Sequence, residues 1–284
     1  MTVLEAIRKS EEFLAKKGVD SPRLQAELLL AHVLQLPRMK LYLNFERRLA
    51  PAEADTLREL AKRRGQREPL QHILGTTSFC GLEIAVNRQV LVPRPETELL
   101  AELAWQFLST LNPQPSTALD FGTGSGCVAI ALAVKCPWAG VVAIDISPEA
   151  LAVATQNAAR HGVNDRVDFR CGADFAALAP GERFDLIVSN PPYIPSAEIN
   201  LLQPEVRDFD PRAALDGGPD GLDYYRLLAK RAAKFLKPQG KIMLELGEGQ
   251  AEPVRALFEE QMWIVEAVKP DYTQRPRILI ARRE

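Results

Sequence analysis

Four consecutive residues, Asn190-Pro191-Pro192-Tyr193, combine side-chain types that can hold one planar amino group. Each proline fixes its own φ and pushes the residue before it into extended backbone, so Asn190 and Pro191 are both stiff. Pro191 has no N–H, and its carbonyl is displayed without a donor from the same residue. The Asn190 side-chain oxygen and that carbonyl can then accept the two hydrogens of a single NH2, while Tyr193 can stack on the same flat group. The chemistry that suits such a site is attack by the nitrogen of a primary amide or aromatic amine. That nitrogen is a poor nucleophile because its lone pair is delocalised, a resonance that gives the peptide bond a rotation barrier of about 18–20 kcal/mol. Two acceptors on its hydrogens orient it and raise its electron density as positive charge develops. Holding it within about 3–3.5 Å of an electrophilic carbon removes much of the entropic barrier. No strong base is needed in the motif, since the proton can leave after the new bond forms. Alone, Asn-Pro-Pro-Tyr is also an ordinary way to turn a chain out of a sheet. Its place directly after the apolar run Phe184–Ser189, in a chain with the two features that follow, favours a site.

The first of these is the loop Gly122, Thr123, Gly124, Ser125, Gly126, set between an apolar strand and a helix. Glycines there permit a tight turn and let a ligand approach the backbone. A nicotinamide dinucleotide site needs the spacing G-x-G-x-x-G. Here the spacing is G-x-G-x-G, with Cys127 where the third dinucleotide glycine would stand. The second feature is Asp145, which ends the next apolar run 19 residues after Gly126. A carboxylate at that place can accept from both hydroxyls of an unphosphorylated ribose and repels a 2′-phosphate. The competing role, a helix N-cap, is better suited to Ser147.

These residues need a scaffold, and the pattern predicts a mostly parallel α/β sheet. Apolar strands at 118–121, 141–146, 166–171, 184–189 and 241–246 alternate with helices near 125–135, after Ser147-Pro148, 222–236 and 250–260. Alternation of this kind requires parallel strands with helices on both faces, and ligands then bind beyond the carboxyl ends of the strands. The runs 263–268 and 277–282 are joined too tightly for a crossover and are expected to pair antiparallel. Ahead of this lies a helical region, 1–74. It carries a Thr2/Glu5 capping box with Val3, Leu4, Ile7 and Leu14 on one side, a Ser21-Pro22 helix start, and a helix from about Pro51. Between them, 75–93 reads as a linker β-hairpin. Phe79 to Val86 and Val90 to Val92 are its strands and Asn87-Arg88-Gln89 its turn. A helix from about Glu96 then runs to the turn-rich connector Asn112-Pro113-Gln114-Pro115 and opens the domain 94–284.

Composition narrows the class. The 284 residues are 46% hydrophobic and 25% charged, which suits folded domains with sizeable cores. No apolar run approaches the roughly 18–20 residues of a membrane span, and the start, MTVLEAIRKSEEF, reads as neither signal nor transit peptide. Cys80, Cys127, Cys136 and Cys171 form no C-x-x-C pair, and His32, His72 and His161 are scattered. No metal site and no disulfide framework is expected, and the compartment expected is the cytosol. Residues 1–75 hold 14 Lys and Arg against 10 Asp and Glu, whereas the remainder holds 21 against 27. A basic front end can face an acidic partner, or it can simply be a solvated helical surface.

DFGTGSG, VVAIDIS and VSNPPY together resemble the class I S-adenosylmethionine-dependent methyltransferases that act on amino groups. With the helical front domain, the hairpin and VPRPETE at 92–98, the whole chain resembles the PrmC/HemK family, which methylates the glutamine amide in the Gly-Gly-Gln loop of bacterial peptide chain release factors. The resemblance implies S-adenosylmethionine as cofactor, Gly122–Gly126 at its methionine and ribose side, and Asp145 on its ribose hydroxyls. It places Asp174 near the adenine, Asn190 against both cofactor and substrate, and Asn190, Pro191, Pro192 and Tyr193 around the target amide. It implies a release factor as protein partner and a monomer in the cytoplasm, acting directly on neither nucleic acid nor membrane. A ribosomal-protein glutamine methyltransferase would share this chemistry. A DNA adenine methyltransferase would need a recognition region and a positive groove, which the net-negative catalytic half does not offer. A non-catalytic translation-regulating module on the same fold is the reading from another class; an NAD oxidoreductase is opposed by the glycine spacing.

Overall fold

Thr2 opens the first helix by a reciprocal pair of hydrogen bonds: its Oγ1 accepts from the Glu5 N–H (3.3 Å) and its own N–H donates to Glu5 Oε2 (2.8 Å). Helix α1 (Val3–Lys16) follows, then α2 (Pro22–Leu34), α3 (Arg38–Leu41), α4 (Pro51–Gly65) and α5 (Leu70–Leu74). Val3, Ile7 and Leu14 are buried with Leu29, Leu30, Leu41 and Leu57 in one helical core. Ser21 corrects an expectation, because at φ 48° its side chain caps nothing. Pro22 alone sets the start of α2, since its fixed φ suits the first turn and it has no N–H to leave unpaired.

The computed structural model describes residues 1–112 and 114–284, so Pro113 of the expected connector lies outside the described residues. After the helices come β1 (Thr76–Phe79), β2 (Leu82–Ala85), α6 (Pro95–Thr110), β3 (Ser116–Phe121), α7 (Cys127–Lys135), β4 (Ala139–Asp145), α8 (Pro148–Arg160), β5 (Val167–Cys171), β6 (Phe184–Ser189), α9 (Pro204–Arg207), α10 (Asp223–Arg231), β7 (Leu236–Glu245), α11 (Ala251–Glu260), β8 (Ile264–Pro270) and β9 (Pro276–Arg282). The chain divides into two compact units. One is Met1–Thr76 with Gln203–Phe209; the other is Thr77–Leu202 with Asp210–Glu284. Within the first unit, Glu205 accepts from both Arg64 Nη2 and Arg67 Nη2 at 2.7 Å, which ties the returning segment to α4 and the turn after it.

The second unit is built on a seven-stranded sheet in the order β5-β4-β3-β6-β7-β9-β8. The strands from β5 to β7 are parallel, and β9 is antiparallel to both β7 and β8. The central strands read as near-continuous apolar runs because both faces are covered. Leu100, Leu108, Ile130 and Leu132 of α6 and α7 pack on one face, Tyr225, Leu228, Val254 and Phe258 of α10 and α11 on the other. The chain runs outward from β3 to β5 and then returns to place β6 on the other side of β3. That reversal opens a crevice at the carboxyl ends of the strands. Register pairs Phe121 with Ile144, and Ser189 with Leu244. Gly122, Asp145, Asn190 and Glu245, each at or just past a strand end, therefore share one edge.

The hairpin differs from expectation. Its turn is Cys80-Gly81, both at positive φ (50° and 78°), the backbone a two-residue hairpin turn requires. Asn87 instead folds a separate turn in which its Oδ1 accepts from the Gln89 N–H at 2.9 Å. Val90 and Val92 are buried without joining a sheet.

Candidate active site

The glycine loop is held by backbone and side chain together. The N–H groups of Gly122 and Thr123 both donate to the Ile144 carbonyl (2.9 and 3.0 Å), which bends the chain sharply at the end of β3. Gly122 and Gly124 stand at φ 77° and 53°, and a Cβ built on either meets only open space. The loop thus presents bare backbone to a hollow. Asp120, the acid before it, is buried; its Oδ2 accepts from the Thr123 hydroxyl (2.7 Å) and the Ala129 N–H (3.1 Å). Burial pushes the Asp120 carboxyl up to about 6, against the pull of those two donors. Asn157 of α8, fully buried, donates to the Ser125 carbonyl at 3.0 Å and pairs with both backbone groups of Ala85. One side chain therefore joins the loop to the hairpin.

Asp145 reaches back to the same loop. Its Oδ2 accepts from the Gly124 N–H (2.8 Å) and its Oδ1 from the Ser147 N–H (2.9 Å). The capping of α8 falls to Ser147, whose Oγ accepts from the Ala150 N–H. Asp145 is thereby fixed in orientation, with lone pairs to spare for a ligand's hydroxyls.

Past β6 the chain turns at Asn190. The Asn190 Nδ2 donates to Thr97 Oγ1 at 3.0 Å, and the Thr97 hydroxyl donates to Glu245 Oε2 at 2.7 Å. A hydroxyl has one hydrogen; with that hydrogen on Glu245, Thr97 can only accept from Asn190. This assigns the amide nitrogen to Thr97 and leaves Asn190 Oδ1, which accepts no hydrogen bond among the described residues. Downstream, the Tyr193 carbonyl accepts from Gln250 Nε2 at 2.9 Å, while Gln250 Oε1 accepts from the Gly247 N–H. The Tyr193 hydroxyl points inward, 3.4 Å from Glu245 Oε1.

A cleft of about 220 Å³ joins these pieces. Gly122, Thr123, Gly124, Ser125, Asp145, Asn190, Pro191 and Pro192 all line it. Three expected residues do not. Gly126, at φ 79°, starts α7, and a Cβ on it would stand 3.0 Å from the Ala154 Cβ, so it serves the contact between α7 and α8. Tyr193 turns its ring from the cleft toward Gly247 and Glu245 rather than stacking in the site. Asp174 follows the lining residue Ala173 but does not itself line the cleft. Its Oδ1 accepts from the Ala176 N–H (2.6 Å) and its Oδ2 from Arg231 Nη1 (2.5 Å), so both oxygens are engaged in a local turn and an ion pair. The cleft wall there is Gly172 and Ala173, with half-exposed Ile146 opposite.

Other cleft residues carry chemistry that local spacing did not reveal. Arg94 lines the cleft and its Nη2 donates to buried Asp210 Oδ2 at 2.6 Å, next to the lining residues Pro211, Ala213 and Ala214. Burial lifts the Asp210 carboxyl to about 6 although Arg94 opposes the shift. Tyr224 supplies an aromatic wall near Asp145. Asp120, which lines the cleft, and Glu245, which lies behind it, are each a single polar residue inside an otherwise apolar strand end, and that placement was the available signal; Thr97, set between Glu96 and Glu98, offered none.

The strand order and the cleft at the reversal are those of the class I methyltransferase fold. A solved methyltransferase from Pyrococcus furiosus shares the fold (TM-score 0.52, 22% identity, 72% of this chain and 90% of that one). A family model described as the PrmC N-terminal domain matches residues 5–75, and one described as the methyltransferase small domain matches 103–203. The release factor glutamine methyltransferase of Geobacter sulfurreducens is 49% identical over 90% of this chain and 88% of its own length. That of Moorella thermoacetica is 43% identical over 100% of this chain and 99% of its own. The chain belongs to the release factor glutamine methyltransferase family.

Proposed function

We propose that this protein transfers a methyl group from S-adenosylmethionine to the side-chain amide nitrogen of the glutamine in the Gly-Gly-Gln loop of bacterial peptide chain release factors. The observation that carries the reading is the corner at Asn190. A stiff, proline-flanked residue at a strand end lines the cleft with its carboxamide nitrogen tied inward and its oxygen unpaired.

The cleft fits the cofactor in three respects. The bare backbone of Gly122 and Gly124 admits a close approach, the oriented Asp145 carboxylate suits a ribose diol, and Ile146 and Ala173 offer apolar surface for a flat base. Bound there, the cofactor supplies an electrophilic methyl carbon on a sulfonium. The chain's own residues do the rest. Asn190 Oδ1 and the Pro191 carbonyl accept the two amide hydrogens, which orients the lone pair and raises its density as charge develops on nitrogen. Pro191 and Pro192 keep both acceptors from relaxing, so the geometry is fixed before substrate arrives. The surplus proton leaves to water once the nitrogen–carbon bond has formed.

The same reading has the basic helical unit gripping the release factor, and the protein working as a cytoplasmic monomer with neither nucleic acid nor membrane as direct partner. Among the described residues, no helix is long and apolar enough to cross a membrane. Incubation with methyl-labelled S-adenosylmethionine and, separately, a release factor, ribosomal proteins and duplex DNA tests the assignment. Label is expected in the release factor alone; transfer only to ribosomal protein or DNA would refute the choice of substrate.

A further inference from the structure

Thr97 and Glu245 lie beneath Asn190 and touch none of the atoms that the proposed reaction changes. Thr97 is 3% exposed and Glu245 1%, so water does not compete for the hydrogen bonds between them. The two stand 148 residues apart in sequence, on the first turn of α6 and the last residue of β7. A carboxylate only accepts, so Glu245 takes the single Thr97 hydrogen, and Thr97 must accept from Asn190. Were the Asn190 carboxamide rotated by half a turn, its oxygen would face a hydroxyl oxygen with no hydrogen left to give.

We infer that Thr97 and Glu245 are positioning residues for methyl transfer: Glu245 orients the Thr97 hydroxyl, and the hydroxyl holds the Asn190 carboxamide with its oxygen toward the substrate. This rests on the reading that Asn190 accepts from the target amide. The chain also places a negative charge two hydrogen bonds from Asn190, which polarises the carboxamide and strengthens its oxygen as an acceptor. Protonation reverses the direction. A neutral Glu245 can donate to Thr97, which can then donate to Asn190 and favour the rotated amide. Several groups face Glu245 and decide where that happens. Burial favours the neutral form; the Thr97 hydroxyl and Arg277 of β9 favour the charged form; Glu96 of α6 opposes it; the Tyr193 hydroxyl faces Oε1 and favours the charge. The Tyr225 hydroxyl donates to the Glu245 carbonyl. The balance leaves the carboxyl at about 7.

Steady-state kinetics with S-adenosylmethionine and a release factor, across pH, tests this on the full chain with Thr97→Val, Thr97→Ser, Glu245→Gln and Asn190→Ala. Thr97→Val is expected to lower kcat roughly 10–100-fold, the cost of losing a buried partner at a critical site, while the cofactor Kd stays within about twofold. Thr97→Ser restores most of the rate. Wild-type kcat falls on the acid side of about pH 7. Glu245→Gln, whose amide oxygen still accepts from Thr97, loses that acid limb. A Thr97→Val enzyme within about threefold of wild type, a serine variant as slow as the valine one, or a glutamine variant that keeps the acid limb would overturn the inference. Asn190→Ala separates the two levels. If it stays active, the reading of Asn190 itself fails; if it is inactive while Thr97→Val is active, only the relay fails.

Discussion

Asp145 holds two backbone N–H groups and still faces the cleft. Replacing it with alanine removes the acceptor for a ribose diol and leaves the Gly124 N–H without its partner. Cofactor affinity is expected to fall roughly 10–100-fold, read by calorimetry, while the thermal midpoint moves little because the loop edge is solvated. Unchanged affinity would remove Asp145 from the cofactor site. At this scale the sequence was legible where chemistry is local. Asn190 to Pro192 and Gly122 to Ser125 are contiguous, and their types declare stiffness and open backbone. Thr97 and Glu245 were not legible, because a hydrogen bond across 148 residues leaves no mark in spacing. Asp174 shows the converse: at its position a residue can face either the cleft or its own turn, and Arg231, 57 residues on, holds it in the turn.

Among the elements, Asn157 connects three that periodicity treats separately: α8, the glycine loop and β2. Asn157→Ala leaves the Ala85 N–H and the Ala85 and Ser125 carbonyls short of a partner. The expected destabilisation is about 2–4 kcal/mol, from more than one unsatisfied buried group. A urea titration measures it as a lower midpoint at unchanged slope, and a loss under about 0.5 kcal/mol would contradict the role. The strands were readable because a sheet covered on both faces demands apolar runs, and Phe184–Ser189 begins and ends where that run does. The hairpin was not, since its turn depends on Cys80 accepting a positive φ that its residue type does not advertise.

For the whole molecule, buried carboxylates set the dependence of stability on pH. Asp120 and Asp210 are held at about 6, and Glu245 at about 7, above ordinary values of 3.8 and 4.5. Between those limits the unfolded chain has released protons that the folded chain keeps, so stability falls as pH rises through the interval. Asp271, lowered to about 2 chiefly by the Thr273 hydroxyl, acts in the opposite sense and only below its ordinary 3.8. Denaturation midpoints are therefore expected to be higher near pH 5 than near pH 8, by an amount that shrinks in Glu245→Gln; a rise over that range would contradict the assignment of these groups as buried acids.

The central claim is that an oriented Asn190 oxygen holds a glutamine amide for methylation. Peptide mapping by mass spectrometry tests it most directly, on a release factor incubated with S-adenosylmethionine and either the wild-type protein or Asn190→Ala. The account predicts one added methyl on the side-chain nitrogen of the Gly-Gly-Gln glutamine with the wild type. With Asn190→Ala it predicts none, although that variant still binds the cofactor. A methyl on another residue, or an equal yield from Asn190→Ala, would contradict it.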